Sequence, residues 1–168
     1  MPTRFPHGLS ENIDPTQVDS EALYSLGSRR RLADGTEYVY IEADAAIAAF
    51  EVCIIHGDGG AEGVTTALVS TSDAGVGKHL AVPQVAIASG KFGWGCIYAP
   101  IVAGKKALVA ASCVAFRLLC TTATKGVLDD TLLIGSVVRG IILSVTATGA
   151  VAGLVGITYP VADDITQT

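Results

Sequence analysis

The sequence predicts an all-β fold, a compact β-barrel or β-sandwich of about eight or nine short antiparallel strands behind an extended N-terminal arm. Three observations carry this. Apolar runs of strand length recur along the chain, glycine turns separate them, and no run shows the length and period of a long amphipathic helix.

The first thirty or so residues stand apart. Pro2, Pro6 and Pro15, with Gly8, Asn12 and Asp14, break any regular period, while Phe5, Leu9, Ile13, Val18 and Leu23 are spaced as separate anchors. The segment 1–31 therefore reads as an arm, with one helical turn expected over 20–24. Such arms are ordered when something holds them.

From residue 32 the pattern becomes β, and the all-β domain is expected to span 32–162. Asp34-Gly35 is a turn signal, and Tyr38, Val39, Tyr40 and Ile41 follow with aromatic and β-branched side chains. Further strands are expected within 51–56, 63–70, 80–88, 95–103, 107–121, 132–138, 141–146 and 154–160. Turns such as Ser89-Gly90-Lys91 and Ala103-Gly104-Lys105 separate them. The alanine-rich stretch 44–50 is too short for a stable helix and reads as a turn, and 107–121 reads as strand with a bulge or corner near 115–117. No strict repeat of fixed period is visible. The tail, 163–168, is polar and reads as solvated.

The best-marked strand holds the one tryptophan of the chain, in KFGWGCIYAP. A period of two sets Phe92, Trp94, Cys96 and Tyr98 on one face, and Gly93 and Gly95 leave the other face bare for close approach by a strand or a neighbouring subunit. Trp94 and Tyr98 are accordingly expected in the core or at a subunit interface.

Composition narrows the function. The 168 residues are 50% hydrophobic and only 16% charged, so some apolar surface is expected to be covered by neighbours. The net charge of -5 gives no overall positive field for nucleic acid, and the single basic cluster is Arg29, Arg30 and Arg31. The N-terminus lacks the apolar stretch of a signal peptide. The uncharged run 141–159 contains glycines, threonines and β-branched residues, and reads as two strands joined near 147–150 rather than as a membrane helix.

Catalytic and metal motifs fail on spacing. Cys53, Cys96, Cys113 and Cys120 lie in apolar company without a CxxC pair, and read as buried reduced thiols of a cytoplasmic chain rather than as zinc ligands. Gly75-Val76-Gly77-Lys78 lacks the flanking residues of a phosphate loop, since Ser72 and His79 stand where glycine and Ser/Thr are needed. Asp129-Asp130 and Asp163-Asp164 are adjacent, so on a strand each pair points to opposite faces. No nucleophile elbow or local Cys/His signature is present. The expectation is a protein with no catalytic residue, no metal and no cofactor.

The order of pieces is informative. The DG-aromatic strand (34–41), the VAIASGKFGWGCIY hairpin, and the TTATKGVLDD turn with its glycine-rich closing hairpin resemble the decoration, or cement, proteins of tailed-phage capsids. The resemblance covers about 32–160 and implies a small β-tulip-like virion protein. It further implies binding to the major capsid protein of an assembled shell, on its outer surface, commonly as homotrimers or other small homo-oligomers, with no nucleic acid or membrane as partner. In that setting Phe5, Leu9 and Ile13 are the expected anchors of the arm on the shell, and Arg29, Arg30 and Arg31 pair with its acidic side chains. Trp94 and Tyr98 are expected at the capsid or subunit interface. The rival reading is a tail- or fibre-associated module that binds a receptor or carbohydrate, which would need exposed aromatic rings.

Overall fold

A computed structural model describes residues 13–71, 78–131 and 136–163; Phe5 and Leu9 lie outside these. The fold is all-β, with a closed barrel of six strands and further strands continuing the sheet. Eleven strands are seen among the described residues: β1 (Arg29–Arg31), β2 (Glu37–Ala43), β3 (Cys53–Ile55), β4 (Gly60–Gly63), β5 (Lys78–Pro83), β6 (Phe92–Ala99), β7 (Lys106–Val109), β8 (Leu119–Thr121), β9 (Leu128–Asp129), β10 (Val137–Leu143) and β11 (Val151–Asp163). Pairing runs β2–β4–β3–β5–β11–β6 and returns to β2, which closes the barrel.

Several local expectations need correction. The stretch 63–70 is not a strand: β4 ends at Gly63 and a short helix, α1 (Thr66–Thr71), follows, with the Thr65 hydroxyl accepting from the Leu68 amide at 3.2 Å. That helix start outweighs the β-branched composition. No helical turn forms over 20–24. The run 107–121 divides into β7 and β8 around turns at 111–112 and 115–116, the second within the expected corner. Pairing begins before residue 32, because β1 lies antiparallel to β2.

The strand pairings reveal an internal duplication. Strands β2 to β6 form one repeat and β7 to β11 the other. In the first, β2 and β4 are parallel, while β3–β4, β3–β5, β5–β6 and β2–β6 are antiparallel. In the second, β7 and β9 are parallel, while β8–β9, β8–β10, β10–β11 and β7–β11 are antiparallel.

The details repeat with the topology. The Phe50 amide donates to the Pro83 carbonyl at 2.8 Å, and the Phe116 amide to the Leu143 carbonyl at 2.9 Å. Asp44 N donates to Ala61 O as Ala110 N does to Leu128 O, and Ile87 N to Ile47 O as Ala147 N does to Cys113 O. Phe50 and Phe116 both adopt positive φ, 70° and 59°. In register, Gly93 of β6 corresponds to Gly153 of β11, and Ile97 and Pro100 to Ile157 and Pro160.

The interiors correspond as well. Ile41, Ala43, Ile47, Cys53, Ala61, Ala81 and Ile87 fill the first repeat. Their counterparts Ala107, Val109, Cys113, Leu119, Leu128, Val138 and Ala147 are buried in the second. Burying such sets contributes roughly 25 cal/mol per Å² of apolar surface, so each repeat holds a share of the stability.

The bare face of β6 meets this packing. A Cβ added at Gly93 would lie 2.7 Å from Ile87 Cδ1, and one at Gly95 would lie 2.7 Å from Ala81 Cβ. The close neighbours of these glycines belong to the same chain. On the other face, Trp94 is 2% exposed and packs on Tyr24 and Tyr40, with Phe92 stacked on Tyr40.

Residues 13–28 lie over this aromatic face. Ile13 is buried in the core, Asp19 forms an antiparallel bridge with Phe92, and the Gly27 amide donates to the Tyr40 carbonyl at 2.8 Å.

Candidate functional site

The strand β1 presents its three arginines by simple alternation. Arg29 and Arg31 project to one side opposite Val39 and Glu37, and Arg30 projects to the other, over the Tyr24 ring at 5.7 Å. Arg30 is thus engaged with the arm, and the exposed pair is Arg29 and Arg31.

A β-bulge brings Tyr98 to the same side. The β2–β6 register shifts between Glu37 and Tyr38, so Tyr38 faces Cys96 but Glu37 faces Tyr98. Tyr98 therefore leaves the face of Phe92, Trp94 and Cys96, which corrects the expectation from a regular strand. It packs instead against Tyr159 of β11, with ring centroids 5.5 Å apart.

Tyr159 was not singled out in the sequence. It holds φ 47°, a conformation costly for a residue with a Cβ, at a second bulge where β10 shifts register between Arg139 and Ile141. Gly140 fills that bulge at φ 82°, and a Cβ there would lie 2.4 Å from the Thr158 carbonyl oxygen. The strained geometry aims the Tyr159 ring outward, 49% exposed, and its hydroxyl donates to Glu37 Oε2 at 2.8 Å. That bond to a carboxylate holds the phenol pKa above its ordinary value. Arg31 Nε lies 3.7 Å from the other Glu37 oxygen.

The result is a ledge in which Glu37 holds Tyr159 and Arg31, Tyr98 packs on Tyr159, and Arg29 stands two residues along the same face of β1. A shallow hollow beside it is lined by Arg29, His79, Ile97, Tyr159 and Pro160. Its chemistry suits recognition: guanidinium groups for carboxylates and flat rings for apolar or planar contact.

The other expected interface residues fall elsewhere. Ile13 and Trp94 are buried in the chain's own core, 6% and 2% exposed, because 13–28 and the aromatic cluster pack on each other. Neither side chain is presented on the surface of the folded chain.

Two polar clusters lie away from the ledge. Cys113, Asp129 and Asp130 bring their ligand-type atoms within 4.8 Å of one another. Their hydrogen bonds describe a turn scaffold: Asp129 Oδ1 accepts from the Thr131 amide and hydroxyl at 3.2 Å, and Asp130 Oδ2 from the Val114 amide at 3.0 Å. Burial pushes the Cys113 thiol pKa up, which keeps it protonated beside those carboxylates. His56 Nε2 stands 3.4 Å from Glu62 and 3.8 Å from Asp44. Desolvation raises the Asp44 pKa, with the His56 charge opposing it. Among the described residues no helix is long and apolar enough to cross a membrane.

No family model matches the chain, and no curated protein or solved structure is significantly similar to it.

Proposed function

We propose that this protein is a structural virion protein that decorates the outer surface of a tailed-phage icosahedral capsid. It stabilises the shell by binding the assembled major capsid protein across capsomer joints, as a homo-oligomer. The observation that carries this reading is the ledge of Arg29, Arg31, Tyr98 and Tyr159, where backbone strain is maintained to hold an exposed tyrosine beside two cations. Arginine and tyrosine are the residues that dominate binding energy at protein interfaces. Acidic side chains on the shell pair with the two guanidinium groups, and the tyrosines supply the desolvated centre. The four thiols are buried, and Asp129 and Asp130 brace a turn.

The test is occupancy of purified shells. The wild-type chain, the Arg29→Glu/Arg31→Glu double variant and Tyr159→Gly are each mixed with undecorated capsids, and bound copies are counted against the major capsid protein. We expect near-stoichiometric decoration by the wild type and loss in both variants, with unchanged thermal unfolding. Undiminished binding by the charge-reversed variant refutes the ledge. A few copies per particle, together with glycan binding that depends on Tyr98 and Tyr159, supports the tail- or fibre-associated carbohydrate-binding reading instead.

A further inference from the structure

The two repeats differ in what covers them. In the first, the Phe50 ring lies 5.7 Å from the Lys106 ammonium, its carbonyl accepts from the Leu108 amide at 2.8 Å, and the Val52 amide donates to the Gly126 carbonyl at 3.0 Å. The second repeat covers the part of this face around Phe50 and Val52, while its Trp94 end, 2% exposed, lies under the N-terminal segment against Tyr24. Val52 and Val82 are fully buried.

The second repeat carries the same face uncovered. Phe116 stands where Phe50 stands and is 70% exposed; Leu118, Ile142 and Leu154 correspond to Val52, Val82 and Trp94 and are 50%, 45% and 40% exposed. Backbone bonds hold these positions together, Phe116 N to Leu143 O at 2.9 Å and Ser144 N to Leu154 O at 2.9 Å. Single exposed apolar residues are ordinary, but a joined set of this kind marks an interaction surface.

We propose that this face is an interface between two copies of this chain, paired about a twofold axis. The contacts inside the chain point to the occupant: at Phe50 and Val52 the equivalent face of the first repeat is covered by a unit of this same fold. Head-to-tail stacking of copies is blocked. The positions equivalent to Lys106 and Leu108 are Tyr40 and Glu42, and Tyr40 is already engaged by residues 19–28, through Gly27 N to its carbonyl and its own amide to Ser28 O at 2.9 Å. What remains is pairing of like faces, the isologous arrangement.

Charge is self-complementary across such an axis. Arg117 lies within the patch and ion-pairs with none of the described carboxylates, and Asp130 lies at its edge on the Val114 amide. A twofold axis brings Arg117 of each copy toward the acidic edge of the other. The inference does not rest on the capsid reading, and it replaces the expected threefold with a twofold.

Sedimentation equilibrium of the full chain tests it. The wild type is expected to be a dimer at micromolar concentration, and Phe116→Asp and Ile142→Asp to weaken pairing at least about 30-fold with unchanged melting by circular dichroism. Arg117→Glu guards against misfolding, because its side chain makes no hydrogen bond or ion pair among the described residues; it must also weaken pairing. A monomeric wild type, a trimer, or a dimer indifferent to all three substitutions overturns the proposal. A monomer whose shell binding is lost in Phe116→Asp overturns it too, and assigns the face to the capsid.

Discussion

The Tyr40 hydroxyl donates a 2.7 Å hydrogen bond to Asp19 Oδ2, and this bond fastens the N-terminal segment to the barrel. Asp19 is only 7% exposed, and its other oxygen accepts from Gln17 Nε2 at 2.6 Å. The phenol oxygen in turn accepts from the Leu23 amide at 3.2 Å. Burial, and then the neighbouring carboxylate, push the Tyr40 pKa up to about 12, so the hydroxyl stays a donor across the physiological range.

Tyr40→Phe removes the donor and leaves a buried carboxylate short of a partner. The expected loss is about 2 kcal/mol, since leaving a buried charged acceptor unsatisfied costs more than a neutral bond contributes. Urea denaturation measures it, and limited proteolysis should cut ahead of residue 28 sooner than in the wild type. A midpoint unchanged by the substitution dismisses the bond as a fastening.

Gly93 and Gly153 test the duplication. A Cβ at Gly93 meets Ile87 Cδ1 at 2.7 Å, and a Cβ at Gly153 meets Leu143 Cδ1 at 2.5 Å. Gly93→Ala and Gly153→Ala should each destabilise by roughly 1–3 kcal/mol through overpacking. Thermal unfolding of the two variants is the measurement. If one is neutral, the two sites are not packed alike.

The four cysteines should be inert in the native protein. Burial pushes the Cys53 and Cys96 thiols up to about 12 and raises Cys113 and Cys120, and only the thiolate is reactive. Mass spectrometry after alkylation at pH 8 should find no labelled thiol in the native protein and four after denaturation. One thiol that reacts rapidly in the native state would show a cysteine that burial does not silence.

Asp34 gives stability a pH dependence of known sign. Its carboxylate accepts from the Thr36 hydroxyl at 2.6 Å and the Thr36 amide at 2.9 Å, and these bonds lower its pKa on folding. The extra stability is therefore fully present above the ordinary carboxylate pKa and is lost as pH falls through the lowered value. Asp34→Asn should be slightly less stable than the wild type at neutral pH, by under about 1 kcal/mol because the site is exposed. The difference should close in strong acid. A gap that widens on acidification reverses the assigned sign.

The fold class was legible because glycine turns and alternating strands are local signals, as in Asp34-Gly35 before β2. The duplication was not, because the repeats share positions rather than residues: Trp94 corresponds to Leu154 and Cys53 to Leu119. Its strands β3, β4, β8 and β9 are also too short to show a period. Of the candidate site, Arg29, Arg31 and Tyr98 could be named from sequence. Their assembly could not, because it depends on bulges at Glu37/Tyr38 and Arg139/Ile141 that reverse a side chain without altering composition.

The duplication also makes the molecule divisible. The repeats are joined covalently through one short exposed crossing, where Val102 is 93% exposed and Gly104 turns at φ 67°. Each half closes its own circuit of strand pairs, and the halves adhere through β6–β11, β5–β11 and the Phe50–Leu108 bond. A chain severed at Gly104 should therefore reassemble from its two pieces, and co-purification of separately tagged fragments would display it. Foreign sequence can be spliced in at the same crossing, which would make the protein a carrier.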